Sequence, residues 1–312
     1  MIPWLLLACA PRLGHPHVTY AHDAVLPIVH PSNDEDRWYV VFHGTFGDEV
    51  WFLDTGYSYT TCDDDMIAAR DLETRGSVRI RGEAGDVFAS RARIPEFRLG
   101  THQVRMNCVV RDLDTTSSIA DPPEVPVMGV LGSDVLTKFD VEIDPSVPSV
   151  TLLPRNALKF RRRDPGVVQL KREYAWGLRF RVPVGLADDL MWPVVDTGAT
   201  GTHVDGERLG LEPTLRQNGV SVRASGATGV IVRDLVYYRV DQLDLAEGSV
   251  GPLMLTDRAR GPWAAGLLGL NVLSEFRQEY DFDRGLARFV AVPPSKVPSW
   301  SDWASFGAPT TP

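Results

Sequence analysis

One segment of this sequence occurs twice, and the repeat constrains the fold more than any other feature. The triplet Asp-Thr-Gly closes an apolar run at residues 54–56 and again, 142 residues later, at 196–198. Downstream of each triplet lies a second matched segment, residues 129–139 and 266–276, at an offset of 137. One such triplet occurs by chance in about one chain in twenty of this length, and as a turn former it has an ordinary structural explanation. The matched surroundings instead indicate an internal duplication.

Short strands dominate both halves of the sequence. Each half contains a predicted hairpin, residues 38–42 with 49–53 and residues 178–184 with 190–195, whose second strand leads into the triplet. A hairpin with a glycine-rich tip is predicted next in each half, followed by a short apolar segment with one or two helical turns and a closing strand pair. Many short strands separated by Gly and Pro turns predict an all-β architecture.

Length, composition and charge limit the classes of protein that remain. The chain has 312 residues, 44% hydrophobic and 23% charged, as expected of a globular protein with about two domains. A net charge of -9 argues against nucleic acid as a partner. The predicted organisation is a leader (1–20), a first lobe (21–155), a linker (156–173), a second lobe (174–292) and a tail (293–312). We expect a monomer, because both copies of the repeat lie in one chain.

The N-terminus permits two interpretations. The apolar run at residues 4–10 contains Leu6-Leu7-Ala8-Cys9, which resembles the end of a bacterial lipoprotein signal, although no Lys or Arg precedes the run. Lipidation of Cys9 would make the protein an exported lipoprotein tethered to a membrane, and export without lipidation would leave it periplasmic or extracellular. An ordinary apolar N-terminus, with a cytoplasmic location, is the alternative. Residues 10–35 are also long enough to contribute to a pro-segment.

The cysteines and histidines predict neither a metal site nor a cofactor. Cys62 and Cys108 could form a disulfide in an oxidising compartment or remain buried thiols. The sequence contains no Cys-x-x-Cys and no His-Glu-x-x-His, the spacings typical of zinc sites. His15, His17 and His22 lie in or next to the predicted leader, where we expect solvated side chains.

The paired triplets suggest a specific chemistry. If equivalent strand ends face each other, Asp54 and Asp196 meet, and two adjacent carboxyl groups share one proton because both cannot ionise at low cost. One could then act as a general base on water while its protonated partner polarises a carbonyl group. The hydroxyl groups of Thr55 and Thr197 could each reach the backbone of the opposite half. Gly56 and Gly198 would let the two backbones approach closely.

These motifs resemble those of pepsin/retropepsin-type aspartic proteases with both lobes in one polypeptide, over roughly residues 38–292. The resemblance rests on the two triplets and on the segments 130–132 and 267–269, whose glycines, Gly132 and Gly269, would support the aspartate loops. It implies the acid-protease fold, with two similar β-barrel-like lobes related by a pseudo-twofold axis and a cleft between them. It also implies an aspartic-type endopeptidase that acts on peptides or proteins without a cofactor.

Two features depart from that family and leave alternatives open. Tyr57 stands where a small residue is usual. Its size leaves open how Asp54 is hydrogen-bonded and whether a substrate can reach it. The candidate flaps lack the tyrosine of pepsin-like enzymes, and their glycines could equally mark ordinary turns: Gly82, Gly85, Gly226 and Gly229. The functional alternatives are therefore a general endopeptidase, a processing peptidase with one exported target, and a catalytically weak or inactive peptide-binding module.

Overall fold

A computed structural model describes residues 15–30, 37–45, 47–82, 85–113, 126–174, 177–186, 188–224, 229–257, 266–293 and 297. Strands dominate these residues, with only three short helices among them, in agreement with the predicted all-β class. None of the helices in the described ranges is long and apolar enough to cross a membrane.

The first half of the chain alternates strands with two of the short helices. Its elements are β1 (His17–Thr19), β2 (Ala24–Val29), β3 (Tyr39–Gly44), β4 (Gly47–Leu53), β5 (Thr61–Asp63), α1 (Asp64–Ala69), β6 (Thr74–Gly82), β7 (Gly85–Leu99), β8 (His102–Arg111), β9 (Val127–Leu131), α2 (Ser133–Leu136), β10 (Asp140–Asp144) and β11 (Ser149–Leu153).

The second half follows a similar order. Its elements are β12 (Val167–Gln169), β13 (Lys171–Glu173), β14 (Arg179–Arg181), β15 (Val184–Leu186), β16 (Asp189–Met191), β17 (Val194–Val195), β18 (His203–Val204), β19 (Leu215–Ala224), β20 (Gly229–Val240), β21 (Leu243–Leu245), β22 (Gly248–Val250), β23 (Leu253–Asp257), β24 (Leu267–Leu268), α3 (Leu270–Leu273), β25 (Phe276–Asp281) and β26 (Leu286–Ala291).

Both predicted hairpins that lead into the triplets are present. In the first half β3 pairs with β4 without interruption as far as Gly44 and Gly47. In the second half the hairpin is divided, since β14 pairs with β17 while β15 pairs with β16 in a separate four-stranded sheet. Pro183 and Pro193 lie at the division, and a proline cannot donate a hydrogen bond to a strand ladder.

Each strand that ends in a triplet lies parallel to the strand of the second matched segment. Leu53 at the end of β4 is opposite Leu131 of β9, and Val195 of β17 is opposite Leu268 of β24. Gly129 of β9 has no side chain because a Cβ there would lie 2.2 Å from the ring of Trp51. Both aspartates therefore follow a strand that is paired in the same way. Helix α2 comes directly after β9, and helix α3 comes directly after β24.

The two halves are joined within the largest sheet, in which three strands of the second half continue the strands of the first. Its order is β12-β26-β25-β10-β11-β2-β3-β4-β9-β5-β8-β7-β6, with β1 on β8. Where the halves meet, β10 runs antiparallel to β25 and Glu142 is opposite Glu279. These residues are 137 apart, the offset of the sequence repeat. Equivalent strands of the two halves thus pair with each other, and the main apolar cluster includes residues of both halves, such as Trp51 and Phe276.

Some of the predicted leader and linker residues form short strands, and other predicted segments lie outside the described residues. The end of the predicted leader forms β1, paired with β8, although His15, His17 and His22 are exposed as expected. The predicted linker, 156–173, contains β12 and β13. Cys9, Gly226 and all of the predicted tail except residues 293 and 297 lie outside the described residues.

Of the two predicted states of Cys62 and Cys108, the structure has the disulfide, which joins β5 to β8.

Candidate active site

Reciprocal hydrogen bonds join the two Asp-Thr-Gly loops. The hydroxyl of Thr55 donates to the carbonyl of Val195 at 3.0 Å, and that of Thr197 donates to the carbonyl of Leu53 at 2.9 Å. The backbone N–H of each threonine donates to the hydroxyl of the other at 3.1 Å. All four hydrogen bonds are buried, so each hydroxyl group is satisfied by the opposite half of the chain.

The glycines of the triplets let each loop lie against the aspartate of the other. A Cβ placed on Gly56 would lie 2.3 Å from the carboxyl carbon of Asp196. A Cβ on Gly198 would lie 2.5 Å from the carboxyl carbon of Asp54. Real Cβ atoms do not approach other atoms so closely, so no other residue fits either position without moving a carboxyl group.

Asp54 and Asp196 form a buried pair whose carboxyl groups share a hydrogen bond. They are only 5% and 4% exposed. Burial raises the pKa of Asp54 well above its ordinary value, and the charge and hydrogen bond of Asp196 raise it further, against the opposite effect of the Gly56 and Tyr57 N–H groups. The Gly198 N–H donates to Asp196 Oδ1 at 3.0 Å. Asp54 Oδ1 is buried without a hydrogen-bond partner in the part of the chain that the structure describes.

Gly132 and Gly269 pack behind the aspartate loops. A Cβ on Gly132 would lie 2.7 Å from the Tyr59 carbonyl carbon, and one on Gly269 would lie 2.4 Å from the Gly201 carbonyl oxygen. Their N–H groups donate to threonine hydroxyls at the far ends of the loops, to Thr60 at 3.2 Å and to Thr202 at 3.1 Å. Both glycines therefore lie against the backbone of the aspartate loops, and their supporting role stays a prediction.

The two halves differ at the residue that holds each of these threonines. Asp134 Oδ1 accepts hydrogen bonds from the N–H and hydroxyl of Thr60, both at 2.7 Å. In the second half, the Thr202 hydroxyl donates to Asn271 Oδ1 at 2.8 Å. Burial raises the pKa of Asp134 to about 6, although the hydrogen bonds from Thr60 and Val135 act in the opposite direction. One half thus carries a titratable group where its counterpart is neutral.

Tyr57 directly follows the first triplet, and its ring packs against the first glycine-tipped hairpin. Val78 and Ile80 of β6 contact this partly buried ring. The Tyr57 carbonyl accepts a hydrogen bond from the Ser133 N–H at 2.7 Å, and its own N–H donates to the Asp54 carbonyl at 3.4 Å. The backbone of the loop is therefore hydrogen-bonded in spite of the bulky side chain.

Both glycine-tipped hairpins are present as long strand pairs. The β6–β7 pair extends to Gly82 opposite Gly85, and the β19–β20 pair extends to Ala224 opposite Gly229. Their role as flaps over a cleft stays a prediction.

Sequence reasoning missed Arg179, which lies beside the aspartate pair. Arg181 of β14 is opposite Val194 of β17, and extending this register by two residues puts Arg179 opposite Asp196. Its side chain is only 2% exposed. The repeat could have revealed it, because Arg37 and Arg179 are 142 residues apart, like the two aspartates.

Comparison with known proteins indicates the class of this site. Residues 44–135 match a family model described as aspartyl protease. The match contains Asp54 and Gly132 and ends before the second triplet. A search of curated proteins found no match to the chain. This similarity supports a protease-like function in general, for which a peptide would be the substrate.

Proposed function

We propose that this protein is an aspartic-type endopeptidase in which Asp54 and Asp196 form one catalytic pair. The observation that carries the proposal is the buried hydrogen bond between their carboxyl groups, with each group held against the other half's glycine. Buried carboxyl groups in such contact share a proton and titrate as a pair. The aspartyl protease match over residues 44–135 supports the same reaction class.

In the reaction, the charged member of the pair takes a proton from a water molecule that attacks the peptide carbonyl. The protonated member donates a hydrogen bond to the carbonyl oxygen, on which negative charge develops. The leaving amine is then protonated by the pair, and no covalent intermediate with the enzyme forms. The hydrogen bonds of Thr55 and Thr197 hold both carboxyl groups in place throughout, since they fix the backbone on either side of each aspartate.

The fold that we propose for this activity has two lobes, residues 21–155 and 174–292, related by a pseudo-twofold axis. The register of β10 and β25 supports it, because Glu142 and Glu279 face each other at the repeat offset. The reciprocal threonine hydrogen bonds support it too. A substrate in extended conformation would then lie between the lobes under the β6–β7 and β19–β20 hairpins, and a monomer would suffice.

We further propose that the protein is exported and anchored through a lipid on Cys9. The disulfide between Cys62 and Cys108 supports an oxidising compartment. Expression of the full chain and of Cys9→Ser, followed by fractionation, tests the anchor: the wild type should sediment with membranes and the variant should be released. Recovery of both in the same fraction would contradict it.

Digestion of a denatured protein mixture, from acidic to neutral pH, tests the activity. Wild type should generate new peptide termini, whereas Asp54→Asn and Asp196→Asn should not. Asp65→Asn, at an exposed position on α1, is the matched control and should cleave like wild type. A wild type as inert as both variants at every pH would refute the endopeptidase and favour the peptide-binding alternative. Cleavage at one site among many offered would indicate a processing peptidase.

A further inference from the structure

We propose that Arg179 is a positioning residue that keeps Asp196 the charged member of the aspartate pair and leaves the proton on Asp54. The inference rests on the proposed function and goes beyond it, because the symmetry of the two triplets does not distinguish the roles of the two carboxyl groups.

The position of Arg179 supports this asymmetry. Arg181 is opposite Val194 across the β14–β17 pair, and two residues farther along the same register Arg179 is opposite Asp196. Side chains directly opposite each other on antiparallel strands lie on one face and within reach of each other. Arg179 interacts electrostatically with Asp196, and it is almost completely buried, at 2% exposure. An arginine keeps its charge even when buried.

The charges around Arg179 leave a surplus positive charge on this side of the pair. Glu173 of β13 lies 3.7 Å from the Arg179 guanidinium, but it also binds Arg181 at 2.8 Å. Two cations therefore share one carboxylate. The segments 197–201 and 267–268, which also adjoin Asp196, contain no charged residue. From the first half Asp196 meets Asp54 and Gly56. Tyr57, the next residue along that loop, stays neutral because burial raises its pKa.

The equivalent position in the first half provides an internal control. Leu53 donates its N–H to the Trp38 carbonyl at 3.1 Å, and one further step in that register puts Arg37 opposite Asp54. The side chain of Arg37 is more exposed than that of Arg179. Solvent screens exposed charges more than buried ones, so we expect the partly exposed Arg37 to act on its aspartate less than Arg179 does, even though Arg37 Nη1 is buried.

The test is a carbon-13 NMR titration of the aspartate carboxyl groups in the full chain. In Arg179→Met the lower apparent pKa of the pair should rise by about one unit or more, because the ionised form loses a nearby opposite charge. Arg179→Lys keeps a positive charge and should leave this pKa close to its wild-type value. Arg37→Met should raise the pKa by less than half as much as Arg179→Met does. Glu173→Gln leaves Arg179 in place and should lower the same pKa, because a neighbouring negative charge is lost. This variant tests the proposal even if Arg179→Met does not fold.

The outcomes separate this inference from the proposed activity. The titration does not require cleavage, so an inert wild type whose pair still responds to Arg179 would refute the peptidase and support the inference. An active wild type whose lower pKa is unmoved in both Arg179→Met and Glu173→Gln would overturn the inference alone. An equal shift in Arg37→Met would also overturn it. In an active enzyme, the acidic limb of kcat/KM should shift with the carboxyl titration, which a purely structural role would not produce.

Discussion

The hydroxyl groups of Thr55 and Thr197 each accept a hydrogen bond from the other threonine's backbone N–H, at 3.1 Å in both directions. Each also donates to a carbonyl of the opposite half, so the hydroxyl of each threonine is satisfied by the opposite triplet and its neighbouring strand. The geometry of one aspartate loop therefore depends on the presence of the other.

Replacing either threonine with valine should destabilise the protein, because buried donors and acceptors of the opposite loop lose their partners. The expected loss is about 1–3 kcal/mol of unfolding free energy for each substitution, measured by urea denaturation. Thr55→Ser and Thr197→Ser keep the hydroxyl and are the matched controls. The double valine variant should lose less than the sum of the single variants, since both act on one network. Strictly additive losses would contradict the reciprocal network.

Asp134→Asn should remove a pH dependence of stability. The pKa of Asp134 is raised in the folded protein to about 6, above the roughly 3.9 of an unfolded chain. The folded state therefore binds this proton more tightly than the unfolded chain does. The resulting stabilisation is fully present below the pKa of the unfolded chain and is lost as pH rises through the pKa of the folded protein. By linkage the change amounts to about 3 kcal/mol.

Urea denaturation at a series of pH values measures this effect. Asp134→Asn should become more stable than wild type as pH rises through this window and keep that advantage at neutral pH. Asn271→Asp, the reciprocal change in the second half, should introduce a similar dependence. Parallel stability curves for wild type and Asp134→Asn would show that Asp134 does not titrate as described.

The disulfide between Cys62 and Cys108 should contribute strongly to stability, because it closes a long loop, with a sequence separation of 46 residues. The chain-entropy account gives about 4 kcal/mol for a loop of this length. Replacing both cysteines with alanine should lower the urea midpoint, and a reductant should lower that of wild type but not that of the double variant. A wild-type midpoint indifferent to reductant would mean that the two thiols are not paired in solution.

Tyr57 should support the β6–β7 hairpin and not obstruct the site. Tyr57→Phe keeps the ring against Val78 and Ile80 and should change cleavage little. Tyr57→Ala removes the ring and should cost about 3 kcal/mol of stability, with a higher KM as the hairpin loosens. Faster cleavage by Tyr57→Ala than by wild type would instead show that the ring blocks access to Asp54.

The sequence repeat predicted much of this arrangement, because the repeated residues include buried carboxyl groups and closely packed glycines, which are possible only in particular surroundings. Asp54 and Asp196 could be paired from sequence since both end apolar strands and both are followed by a matched segment. The 137-residue offset of that second segment appears again where β10 meets β25. Arg179 escaped notice because its neighbours in sequence, Leu178 and Phe180, read as an ordinary strand, and its position beside Asp196 depends on strand register. The division of the second hairpin at Pro183 and Pro193 was missed for a similar reason: prolines mark a break without saying which sheet each piece joins.

The most direct test of the central claim compares kcat/KM for wild type, Asp54→Asn, Asp196→Asn and the double variant on one cleaved peptide. If the two carboxyl groups act as one unit, each single substitution should reduce kcat/KM by about a thousandfold or more, and the double substitution should reduce it no further. A single variant that keeps most of the wild-type activity, or a double variant with the product of two independent losses, would contradict the account.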